Sequence, residues 1–68
     1  MQTFTLVWFV THKSGATFSR VHYVHAESSA DAKTQSKNFV FEPGYTAQLV
    51  SVLDGLYEYD EAIAEALD

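Results

Sequence analysis

The chain contains no cysteine, which closes off disulfides and thiolate zinc sites. At 68 residues that absence matters. A domain of this size buries only about 60% of the surface its unfolded chain exposes, and small domains ordinarily add disulfides, a metal or a partner subunit. Metal ligation by histidine and carboxylate, self-association, or very efficient packing remain. Positive charge is also scarce. Four Lys and Arg stand against nine Asp and Glu, for a formal charge of −5, and a nucleic-acid backbone would repel such a surface. The three glycines all fall in turn-like places, so no Gly-rich phosphate loop exists. No apolar run approaches the roughly 20 residues of a membrane span, and the start MQTFTLVWFVTHK lacks the basic region and small-residue cleavage site of a signal peptide. These absences predict a soluble, cytoplasmic protein with neither nucleic acid nor membrane as a partner.

What the chain does have is apolar surface: 47% hydrophobic residues, including five Phe, four Tyr and one Trp, too many for disorder. In residues 3–11 the even positions Phe4, Leu6, Trp8 and Val10 are all apolar, while Thr3, Thr5, Val7, Phe9 and Thr11 alternate more loosely. A period of two in β-branched and aromatic residues is a strand, and its half-apolar second face suggests the centre of a sheet. HKSGA then supplies a turn, and TFSRVHYVHA returns as a second strand. Ser28 followed by Asp31 resembles a capping box and opens a helix over 29–38, with Ala32, Ser36 or Gln35, and Phe39 as its buried stripe. Pro43-Gly44 favours a type II turn, and YTAQLVSVL is the third strand. The tail admits two readings. Asp54-Gly55 signals a hairpin into a short fourth strand at 56–59 and then a helix from Asp60; alternatively Leu56, Tyr59, Ile63 and Ala66/Leu67 recur at helical spacing in a single helix, the reading we prefer.

A right-handed crossover sets strand three parallel to strand two, so placing it beside strand one gives order 2-1-3 with every neighbouring pair antiparallel. The expected fold is an α+β two-layer sandwich, β-β-α-β-α, with both helices over the Phe4/Leu6/Trp8/Val10 face. Val7 and Phe9 on the opposite face would then meet another copy of the chain, a dimer being the simplest case.

FSRVHYVHAE, residues 18–27, carries two of the three histidines. On a strand, His22 and His25 point to opposite faces, so they cannot share an ion or relay a proton. Hairpin register decides which points inward. A three-residue loop of Lys13, Ser14 and Gly15 places Phe18, Arg20, His22 and Val24 with the inward residues of strand one. A two-residue loop of Ser14 and Gly15 sends Ser19, Val21, Tyr23 and His25 inward instead. The second is preferred because it buries no arginine; Arg20 and His22 then join Val7 and Phe9 on the self-association surface, where a histidine would titrate near neutrality. With no Gly-x-Ser-x-Gly elbow and little room for a cleft, the chain is expected to be no enzyme and to carry no cofactor or metal. Five acids, Glu58, Asp60, Glu61, Glu65 and Asp68, crowd the last eleven residues. Beside their ordinary role as a solvated helix face, they suggest a negative surface for a basic protein, as in small phage-borne inhibitors. The functional expectation is a small protein-binding domain that self-associates, with such an inhibitor, or a small-ligand-binding oligomer, as the alternatives.

Overall fold

The computed structural model describes residues 1–67, and within them the chain forms β1 (Gln2–His12), β2 (Thr17–Ala26), α1 (Ser29–Ser36), β3 (Tyr45–Asp54) and α2 (Tyr59–Leu67). The order is β-β-α-β-α and the three strands make one antiparallel sheet, β2-β1-β3, as the apolar pattern of β1 implies. Register slips once. Val7 pairs with Ser51 and Trp8 with Leu49, so Val50 is an extra residue in β3, a bulge that leaves its side chain exposed.

Phe4, Leu6, Trp8 and Val10 form the core with Val24 and Ala26 of β2 and Ala32 of α1. Full burial of a side chain such as Leu6 is worth about 1.5–3 kcal/mol. α1 lies on this face because its inward residues are small. Ala32 and Ser36 are buried, and the Ser36 hydroxyl donates to the Lys33 carbonyl, which satisfies its polar atom inside the helix. The helix starts at the expected cap: Ser28 Oγ accepts from the Asp31 amide at 3.1 Å, and the Asp31 carboxylate accepts from the Glu27 amide. It ends two residues earlier than expected, at Ser36, and residues 38–44 form an irregular strap that packs Phe39 and Phe41 against the core. Gly44, at φ +93°, and the Tyr45 amide bonded to the Glu42 carbonyl close the turn at Pro43-Gly44.

The chain after β3 takes the other face of the sheet. The Gly55 amide bonds to the Thr3 carbonyl, the Thr5 hydroxyl donates to the Gly55 carbonyl at 2.7 Å, and the Tyr57 amide donates back to the Thr5 hydroxyl at 3.1 Å. Tyr23 OH donates to the Tyr57 carbonyl and Tyr59 OH to the Ser19 carbonyl. α2 follows, touching all three strands, with Ala62 wholly buried. Cover on this side corrects two expectations. The tail and α2 do not join α1 over the Phe4/Leu6/Trp8/Val10 face. Val7, expected to await a second copy, is only 3% exposed, and Phe9 alone of that pair stays open, at 43%. Neither reading of the tail holds in full: residues 56–59 make no strand, and the helix begins at Tyr59, leaving Leu56 outside it.

Candidate functional site

The β1–β2 hairpin decides where the FSRVHYVHAE side chains go. His12 N–H bonds to the Ala16 carbonyl and Gly15 N–H to the His12 carbonyl, which makes Lys13, Ser14 and Gly15 a three-residue loop with Gly15 at φ +97°. Trp8 therefore pairs with Arg20 and Leu6 with His22, so Arg20 and His22 share the face of the core while Tyr23 and His25 lie on the other. This corrects the preferred two-residue loop. The cost assigned to an inward arginine does not arise, because at the sheet's edge Arg20 stays exposed and lays its guanidinium over the Phe18 ring, 5.3 Å from the centroid.

His22 is held in an aromatic cluster. Its ring stacks on Phe39 at 4.6 Å and meets Trp8 edge-on at 6.1 Å and Phe41 at 5.8 Å. Burial, and then the neighbouring Arg20 charge, hold its pKa below the usual histidine value. Its Nδ1 and the Trp8 Nε1 are both buried without a hydrogen-bond partner among the described residues. A cleft of about 220 Å³ opens beside the cluster, lined by Phe18, Arg20, His22, Phe41, Glu42 and Tyr45. That volume is below the roughly 300–1,000 Å³ of pockets that enclose small ligands. His25 sits apart, exposed, sharing a 3.1 Å hydrogen bond with the Thr3 hydroxyl. No group of three or more His, Asp or Glu among the described residues is placed to hold a metal ion.

The four residues expected to form one self-association surface are thus dispersed: Val7 is buried beneath the C-terminal segment, Phe9 is on that same face, and Arg20 and His22 are on the opposite one. Of the acidic set, Glu58, Asp60, Glu61 and Glu65 lie on α2 or just before it. Glu61 Oε1 accepts from the Glu58 amide at 3.3 Å, half of a capping box, and Asp60 and Glu61 sit in the first turn, where the helix dipole favours them. Helical spacing then divides α2 lengthwise. Ala62 and Ala66 point to the sheet, Glu61 and Glu65 run along one flank with Glu58 before them, and Tyr59, Ile63 and Leu67 run along the other. Tyr59 and Leu67 are 49% and 77% exposed, and Leu56, just before the helix, 72%. No Lys or Arg follows Lys37 in the sequence. Asp68, the fifth expected acid, lies outside the described residues. The apolar flank was legible as a recurrence of Leu56, Tyr59, Ile63 and Leu67, but that row leaves out Ala62, the one residue of α2 that is buried among those described.

Comparison of the chain with protein-family models, curated proteins and solved structures gives no match. Among the described residues no helix is long and apolar enough to cross a membrane.

Proposed function

We propose that this chain is a protein-binding domain that docks a basic partner through α2 and the residues leading into it. The supporting observation is the pairing of exposed Leu56, Tyr59 and Leu67 with an acidic flank of Glu58, Glu61 and Glu65 on a segment that holds no cation. A folded domain of this size has every reason to bury large apolar side chains, and those left outside beside charges of one sign suit a protein interface. Carboxylates of one sign steer a Lys- or Arg-rimmed partner toward the site and reject an acidic one, while the apolar flank supplies the desolvated centre. An inhibitor of a basic protein is one role of this kind. Catalysis has less support: in the cleft beside the aromatic cluster, Arg20, His22 and Glu42 surround only about 220 Å³, small for a substrate site.

The experiment is affinity capture followed by titration of the purified pair. A genuine partner binds the wild type more weakly as salt rises, since exposed charges are screened within about 10 Å at 0.1 M, and loses at least tenfold in affinity to Glu61→Lys/Glu65→Lys. A partner bound equally well by that variant and by Leu67→Asp overturns the proposal.

A further inference from the structure

The two edges of the sheet are not alike. β2 carries a charged residue, Arg20, in its middle, the kind of decoration that keeps an edge strand from pairing with another chain. β3 carries no charged residue and no proline from Tyr45 to Leu53. An edge strand presents the N–H and C=O groups of alternate residues outward, unpaired, as a template for a further strand. The bulge at Val50 breaks the far half of that edge, but residues 45–49 before it pair regularly with β1; of their outward groups only the Tyr45 N–H is already taken, by the Glu42 carbonyl.

We propose that residues 45–49 of β3 pair antiparallel with the same segment of a second copy, joining two three-stranded sheets into one of six strands. The segment is its own complement. With the two-fold axis at Ala47, Ala47 faces Ala47 of the second copy, Thr46 faces Gln48, and Tyr45 faces Leu49. Every cross-strand pair then matches polar with polar or apolar with apolar, and no charges oppose each other. Thr46 and Gln48 are exposed, while Tyr45, Ala47 and Leu49 are half-buried at the margin of the core, so pairing extends that core across the axis. The same operation at β2, centred on Val21, would set Arg20 against His22. A second copy also supplies what a thin, cysteine-free domain lacks, because an oligomer is stabilised by mass action. The pairing uses the backbone edge of β3 and not the outward flanks of α2.

Sedimentation of the purified chain across micromolar to millimolar concentration tests the pairing. The wild type is expected to form a dimer as concentration rises. Thr46→Lys/Gln48→Lys sets lysine against lysine at both polar pairs and is expected to be monomeric, with an unchanged circular dichroism spectrum. Thr46→Lys/Gln48→Glu sets lysine against glutamate at the same two pairs and is expected to dimerise again. A wild type that stays monomeric throughout overturns the proposal, as does a lysine pair variant that dimerises like the wild type. Should the lysine variant not fold, amide hydrogen exchange of the wild type decides: protection of residues 45–49 that grows with concentration supports the pairing, and protection independent of concentration overturns it.

Discussion

The middle of β1, from Phe4 to Trp8, is buried on both faces, by different means. On one face Phe4, Leu6, Trp8 and Val10 lie at 0–6% exposure under α1 and the aromatic strap, and the attraction there is apolar contact. On the other, Thr5 is wholly buried with its hydroxyl bonded to both Gly55 and Tyr57, and tyrosine hydroxyls tie the same segment to β2. Apolar burial tolerates small shifts of the covering element, since it is non-directional. Hydrogen bonds hold the covering segment to one register, and a buried group left unpaired is costly. One face thus supplies bulk stability and the other fixes where the tail lies.

Substitutions on each face sharpen that contrast. Leu6→Ala, in the apolar face, is expected to cost about 3 kcal/mol in denaturant unfolding, the transfer term plus the cavity. Thr5→Val keeps the shape of the side chain but strands the Gly55 carbonyl and Tyr57 amide, and is expected to cost about 1–2 kcal/mol, with faster amide exchange in residues 55–59 and little change in α1. A loss at Thr5 as large as that at Leu6 would show that the two faces do not divide the work in this way. The smallest effect belongs to His22. Its folded pKa lies below the unfolded value, so the unfolded chain binds the proton more readily. The stability this group contributes is fully present above about pH 6.5 and is lost as pH falls through its lowered folded value. His22→Phe, which keeps the stack on Phe39 and removes an orphaned nitrogen, is expected to flatten that slope without loss of stability at neutral pH. A variant with the same pH profile as the wild type would assign the slope to another group.

Much of the fold could be read directly from residue periodicity. The alternation in β1, the Ser28/Asp31 cap and the Pro43-Gly44 turn are local signals, and each local preference agrees with the fold that results. Hairpin register was not legible, because two- and three-residue loops through Ser14 and Gly15 differ by one position and the choice rested on the cost of burying Arg20. That cost assumed that an inward residue is a buried one. At an edge strand it is not, as the guanidinium over Phe18 shows. The placement of the tail escaped for a related reason: Thr5 reads as one more β-branched strand residue, and only the fold brings Gly55 and Tyr57 to its hydroxyl. The acidic flank of α2 needed nothing beyond helical spacing once the helix was found.

The attachment of residues 55–57 to β1 joins segments about 50 residues apart in sequence, and this bears on synthesis. β1 leaves the ribosome well before residues 55–57, which close one of its faces. At roughly 5–20 residues per second the wait lasts several seconds. During that interval Val7 and Phe9 stand open beside an edge not yet paired with β3, so the nascent chain passes through a stage more adhesive than its finished form.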